Sequence, residues 1–178
     1  MTAIGAIAIR PYRLSDVRAV YEAAMESVQR VEPFMPWCYP GLTESEQRAW
    51  IEAQVTAFQT RTAFEFAIVG YAERYLGGCG LNQFDVLNRR ANWGYWVRTS
   101  AARKGVATAA VRLLVSWAWE NTDLARLEVV VATTNLASVR TAERAGVQHE
   151  GMLRGRLLLR GVMYDAEMLS FVRMDRSR

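Results

Sequence analysis

Gly94-Tyr95-Trp96-Val97-Arg98-Thr99-Ser100-Ala101-Ala102-Arg103-Lys104-Gly105-Val106-Ala107-Thr108 is the stretch on which the fold turns. Its first four residues close a strand-like run that begins at Ala91. From Lys104, apolar Val106, Ala110, Leu113, Leu114, Trp117 and Ala118 recur at helical spacing to about Asn121. Between strand and helix lies a loop of small and basic residues. The first turn of a helix leaves backbone N–H groups unpaired and carries partial positive charge, so a phosphate satisfies both. Gly105 lets the backbone approach an oxygen, Ala107 keeps the helix face bare, and Arg103, Lys104 and Thr108 add side-chain donors. No Gly-Lys-Ser/Thr follows, so this is not the Walker loop. A small-residue helix start packed tightly on its strand has the same pattern, and on these residues alone both readings stand.

Outward from this junction the chain alternates between the two periodicities. Phe64 to Tyr71, Leu76 to Leu81 and Ala91 to Val97 predict three strands, with turns at Ala72-Glu73-Arg74 and Asp85 to Arg89 too short for crossover helices; an antiparallel meander follows. Gly77, Gly78 and Gly80 match no full phosphate motif and read as close backbone packing or a bulge. Earlier, Ile7-Ala8-Ile9-Arg10 predicts the first strand. Leu14, Val17, Val20, Tyr21 and Ala24 predict one buried face of a helix, with Ser15 or Asp16 as its cap. Thr43-Glu44-Ser45-Glu46 opens a second helix running to about Gln59. The Pro-rich loop from Pro33 to Gly41 carries Phe34, Met35, Trp37 and Tyr39. It reads as a pocket wall, with Trp37 as a substrate-binding candidate, as a flap over the core, or as a homodimer contact. Downstream come a strand from Leu127 to Ala132, a helix from about Ser138 to Ala145 stopped by Gly146, and strands at Gly151 to Arg154 and Met163 to Arg173 around a turn at Arg160-Gly161. The order β-α-α-β-β-β-α-β-α-β-β describes a mixed α/β layer fold, expected as a single domain over residues 1–178.

Composition narrows the function. A hydrophobic fraction of 51% with 22% charge is ordinary for a globular chain, and no apolar run approaches the roughly 20 residues of a membrane-spanning helix. The N-terminus lacks a signal-peptide pattern, so the expected location is the cytoplasm. The net charge of +4 rests on 21 arginines and the single Lys104, scattered without a basic block, which argues against direct nucleic-acid binding and suits a small anionic ligand. Cys38 and Cys79 have neither disulfide nor metal spacing and read as buried thiols. His149 is the sole histidine and nothing pairs it with a nucleophile. No His/Cys/acid cluster points to a metal. Glu128 interrupts the apolar run Leu127 to Val131, where a carboxylate serves either as a base of raised pKa or as partner to an arginine such as Arg126. Trp93, Tyr95, Trp96, Trp117 and Trp119 read as core.

Taken in order, Gly94-Tyr95-Trp96-Val97, Gly105-Val106-Ala107-Thr108, Asn135-Leu136-Ala137-Ser138, Gly146 and Glu150-Gly151-Met152-Leu153-Arg154 resemble the GNAT superfamily of N-acetyltransferases, most nearly its RimJ/RimL-like branch. The likeness runs from Ile9-Arg10-Pro11 through Met35-Pro36-Trp37 to Tyr164-Asp165. It implies a mixed, mostly antiparallel sheet flanked by helices and splayed between the strands at Trp93 to Val97 and Leu127 to Ala132. It further implies acetyl-CoA as co-substrate: its pantetheine arm beside Tyr95, Trp96 and Val97, its diphosphate on Arg103 to Thr108, Asn135 on the arm or a water, and Ser138 near the thioester sulfur. Asn135 also reads as a strand stop and Ser138 as a helix cap.

The implied reaction is direct acetyl transfer to a primary amine, with a protein N-terminus as acceptor by analogy to the branch and a small-molecule amine as the alternative. A non-catalytic acyl-CoA-binding module is the competing class. Backbone N–H groups near Val97 polarise the carbonyl, Ser138 protonates the departing thiolate, and water or Glu128 removes the amine's proton. Two departures stand out. Ala102 occupies the position where the family usually has Gln or Arg, and Arg156-Leu157-Leu158-Leu159-Arg160 lacks the carboxylate that some relatives carry after the Gly-x-Leu-Arg turn.

Overall fold

The computed structural model describes residues 2–4 and 6–173. Among them, strands β1 (Thr2–Ile4), β2 (Ile7–Pro11), β3 (Phe64–Val69), β4 (Tyr75–Asp85), β5 (Arg90–Val97), β6 (Arg126–Ala132), β7 (Gln148–Leu159) and β8 (Val162–Val172) form one sheet in the order β1-β2-β3-β4-β5-β6-β8-β7. Every neighbouring pair is antiparallel except β5 with β6. The meander β3-β4-β5 is as the short turns require. The short β1, pairing Ala3 with Ala8, is an addition to the expected order. β8 matches the expected last strand to within one residue at each end, but β7 is longer than expected, since it starts at Gln148 and runs through two register shifts to the Arg160-Gly161 turn.

Four helices cover the sheet: α1 (Val17–Val31) and α2 (Glu44–Thr60) on one face, α3 (Val106–Asn121) on the other, with α4 (Leu136–Ala145) beside α3. The α3 stripe is as the spacing predicts: Val106, Ala110, Leu113, Leu114 and Ala118 are buried, and Trp117 packs edge-on to Phe66. Ile51 of α2 and Val17 and Val20 of α1 bury against Ala67, Val69 and Tyr75 on the opposite face. Leu14, expected on the buried stripe, is 51% exposed because it lies in a 3-10 turn ahead of α1. Asp16 makes no side-chain cap on α1. Its carboxylate instead forms a buried, two-pronged ion pair with Arg10 at 2.7 and 2.8 Å, fastening β2 to the helix start.

Thr43 caps α2 as its sequence indicates, and the Glu46 carboxylate in turn accepts the Thr43 N–H at 2.8 Å. Thr43→Ala is expected to lower stability by about 1 kcal/mol in a denaturant titration.

Two features position the site. The first is the parting of β5 from β6, which pair only over Arg90 to Asn92 against Arg126 to Glu128. Beyond them Trp93 to Val97 and Val129 to Ala132 diverge, leaving the β5 edge open, while β6 stays paired with β8 through Ala132. The second is the floor of the α1/α2 face, where Glu65, Gly80 and Gly94 stand in register across β3, β4 and β5.

Candidate active site

Two cavities meet at β5. A cleft of about 140 Å³ fills the splay, lined by Gly94 and Tyr95 on one side, Val129 to Ala132 on the other, and Asn135 and Ser138 at its end. A larger cavity of about 470 Å³ lies under α1 and α2, walled by Tyr12, Trp37, Tyr39, Trp50 and Trp96 and containing the carboxylates of Glu46 and Glu65. Met35, Gly94 and Tyr95 line both. A 470 Å³ volume is within the range that holds a small organic molecule or a few residues of a peptide.

The splay carries the hydroxyl chemistry. Along β5, Trp93, Tyr95 and Val97 face α3 and α4, while Gly94 and Trp96 face α1 and α2, as alternation demands. The Tyr95 hydroxyl reaches the Ser138 Oγ at 3.0 Å. Burial first of all raises the Tyr95 phenol above its ordinary value, so it stays protonated as a neutral donor. Asn135 rather than Ser138 is the cap of α4: its Oδ1 accepts the Ser138 N–H at 3.2 Å, which places Ser138 in the first helical turn with its hydroxyl free to face Tyr95. α4 therefore begins at Leu136, two residues earlier than expected.

Beyond β5, α3 begins at Val106, two residues later than expected, because Gly105 adopts φ +77 and acts as its cap. The first bond into the helix is from the Ala109 amide to the Gly105 carbonyl at 3.0 Å, so the amides of Val106, Ala107 and Thr108 precede the helical ladder. Nothing lies within 4 Å of where a Gly105 side chain would project, and Arg103, Lys104 and Gly105 are exposed. Helix α1 holds this loop in place. The Glu26 carboxylate accepts the Ser100 amide at 2.6 Å and pairs with Arg98, whose guanidinium holds it well below the usual carboxylate range, and Ser27 accepts the Thr99 amide at 3.0 Å. Open space, free helical amides and adjacent cations fit a diphosphate.

Other residues singled out in the sequence lie outside the splay cleft. Glu128 is no free base: Arg126 bonds it at 2.9 Å and Arg90 holds its other oxygen, and it lines neither cavity. Trp96 packs against the core under α1 and α2 and is also a wall of the larger cavity, edge-on to Trp37 with ring centroids 5.2 Å apart. His149 pairs with Glu167 on the outer hairpin. Burial raises both thiols, Cys38 to about 11 and Cys79 well above its ordinary value, so neither is a ready nucleophile. Among the described residues no group of His, Cys, Asp and Glu is arranged to hold a metal, and no helix is long and apolar enough to cross a membrane.

Glu65 is the residue that local sequence does not single out. It sits between Phe64 and Phe66 and looks like the outward position of an alternating strand. Burial drives its carboxyl up to about 7, against a weaker opposing hydrogen bond from Asn82 at 3.1 Å. Glu46, the other acid of the cavity, is pulled the opposite way by Thr43 and Tyr39, which occupy its oxygens in the α2 capping box.

Comparison with known proteins agrees with this layout. The Acetyltransferase (GNAT) domain family matches residues 7–148. Curated Bacillus N-acetyltransferases are 31 to 37% identical, with matches spanning 45 to 61% of their own length. The ribosomal-protein-serine acetyltransferase of Escherichia coli (strain K12) is 24% identical over 138 residues, 78% of this chain and 76% of that protein. Among solved structures, the microcin C7 self-immunity acetyltransferase MccE, crystallised with acetyl-CoA and AMP, superposes with TM-score 0.88 at 25% identity, covering 96% of this chain and 94% of that one. The RimL ribosomal L7/L12 alpha-N-protein acetyltransferase with coenzyme A superposes with TM-score 0.87 at 20% identity over 95% of each chain, a likeness of fold.

Proposed function

The chain belongs to the GNAT acetyltransferase family, and from that premise we propose that it is an acetyl-CoA-dependent N-acetyltransferase moving an acetyl group directly onto a primary amine. The observation that carries the proposal is the open edge of β5, with the Tyr95–Ser138 hydroxyl pair in the cleft beside it and the free amides of α3 following it in the chain. In this reading the diphosphate rests on the Val106, Ala107 and Thr108 amides with Arg103 and Lys104 beside it. The pantetheine arm lies along Tyr95, Trp96 and Val97 as an added strand, with Asn135 at its end. Arg103 stands next to Ala102 and supplies the charge that Ala102 lacks. Acetyl-CoA brings the activated acyl group, and the protein positions it and handles protons.

Ser138 and Tyr95 form a two-hydroxyl donor for the departing thiolate. Ser138→Ala is expected to lower kcat about 10- to 100-fold with little change in acetyl-CoA affinity, as read by thiol release and by calorimetry. Equal kcat for the variant and the wild type reduces Ser138 to a helix residue.

The acceptor enters the larger cavity, and relatives named as ribosomal-protein acetyltransferases favour a protein N-terminal alpha-amine there. The aromatic walls and 470 Å³ volume favour the second reading, a small-molecule amine. Mass spectrometry on serine- and alanine-initiated hexapeptides alongside phenethylamine separates them: acetylated peptide N-termini support the first, phenethylamine alone the second, and no product with any acceptor argues for a non-catalytic binding module. We further read the chain as a single catalytic domain of the cytoplasm, a placement supported by two buried cysteines left as free thiols.

A further inference from the structure

We propose that Glu65 takes the proton from the acceptor ammonium, and that Gly80 and Gly94 are glycines so that Glu65 can reach the point where the two cavities meet. The inference rests on the transferase reading above. Its ground is the row Glu65, Gly80, Gly94, paired in register across three neighbouring strands.

Adjacent strands lie about 4.8 Å apart, so Gly94 stands roughly 10 Å from the β3 backbone, and a glutamate side chain laid across the row covers about half that distance. The Glu65 side chain takes this course, for a Cβ on Gly80 would fall on its carboxylate. Asn82 holds one oxygen at 3.1 Å and is itself held by Asn92 at 2.9 Å, which fixes the carboxylate over β4; its other oxygen has no hydrogen-bond partner among the described residues, and Glu65 lines the cavity. An amine, or an amine with one water, fits between that oxygen and Gly94. Gly94 has neither a positive φ nor a packed neighbour to demand glycine, as nothing lies within 4 Å of its missing Cβ. A glycine in mid-strand without such a reason marks a close approach by a ligand.

The charged and titratable groups facing Glu65 are few. Tyr12 ahead of α1, Tyr39 of the Pro-rich loop and Glu46 from α2 line the same cavity, Tyr75 of β4 lies close by, Cys79 and Tyr95 border it from strands whose side chains there turn toward α3, and the lining includes no Lys, Arg or His. Burial raises Tyr12, Tyr75 and Cys79, so they stay neutral, and Glu65 is the acceptor with capacity to spare. Its carboxyl, raised to about 7, is partly ionised at neutral pH and close in strength to an alpha-ammonium.

The step balances. The ammonium gives one proton to Glu65, the nitrogen lone pair forms the N–C bond to the thioester carbonyl carbon, and the C–S bond breaks with its electron pair on sulfur. The nitrogen's second proton ends on sulfur through the Ser138 and Tyr95 hydroxyls, and Glu65 releases its proton to water when the product leaves. The net products are amide, free thiol and one proton.

The experiment compares wild type, Glu65→Gln and Glu65→Asp with the two hexapeptides and phenethylamine from pH 5.5 to 9. The wild type is expected to lose kcat/KM as pH falls through about 7, because the base must be ionised. Glu65→Gln lowers kcat about 100-fold or more, replaces the limb near 7 with one set by the acceptor amine's own pKa, and binds acetyl-CoA as before; Glu65→Asp, one methylene short, recovers part of kcat. A Glu65→Gln enzyme with wild-type kcat and an unchanged acidic limb overturns the proposal. If the wild type acetylates none of the three, the transferase reading fails for them. Carbon-detected NMR titration of the acetyl-CoA complex then decides for Glu65: a carboxyl titrating near 7 supports its assignment, and one in the ordinary carboxylate range refutes it.

Discussion

Gly105→Glu is expected to lose acetyl-CoA binding by at least about 1000-fold, or about 4 kcal/mol. Two effects combine. Gly105 caps α3 at φ +77, a left-handed conformation that charges a side chain about 1–2 kcal/mol, and the substituted carboxylate projects into the open space where the diphosphate would rest. Gly105→Ala separates the two: it carries only the strain, so it should cost about tenfold in affinity. Calorimetric titration of both variants checks this, with melting temperatures to confirm that each is folded. If Gly105→Glu binds acetyl-CoA within a few-fold of wild type, the phosphate loop lies elsewhere.

Gly94→Val is expected to leave the protein at least as stable as wild type while lowering kcat by about 100-fold or more. The stability half follows from an extended backbone, open space around the missing Cβ, and the preference of strands for a β-branched residue over glycine. The activity half follows from position: the new methyl groups enter the place where the acceptor cavity and the splay cleft share a wall. Acetyl-CoA affinity should stay within about threefold, since the β5 edge and the α3 amides are untouched. A variant with near-normal turnover shows that the amine meets the thioester at some other point along β5.

Two glutamates show what local sequence conveys and what it does not. Glu65 and Glu128 each interrupt an apolar strand, Phe64-Glu65-Phe66 and Leu127-Glu128-Val129, and by pattern they are indistinguishable. Their roles diverge through register. β6 brings Glu128 between Arg126 and Arg90, whereas β4 brings a glycine and an asparagine to Glu65. Burial with arginines makes a structural anchor, and burial without them makes a strained acid near neutrality. Features encoded within a few residues are legible: the Thr43 capping box, the α3 stripe, the meander and the presence of a loop between β5 and α3. Asn135 and Ser138 are legible as a pair, but either residue type caps a helix, and only the chain's path makes Asn135 the cap. The aromatic wall of Trp37 and Trp96 joins residues nearly 60 apart, and the pattern around Trp96 alone reads as core.

The central claim, that the groove from the start of α3 to Ser138 holds acetyl-CoA, is tested most directly by calorimetric titration with acetyl-CoA and then with S-acetylpantetheine, which lacks the phosphates. The account predicts saturable binding of the first and at least about 100-fold weaker binding of the second, about 3 kcal/mol supplied by the Val106 to Thr108 amides and their flanking cations. Equal affinity for the two, or no binding of acetyl-CoA, would contradict it.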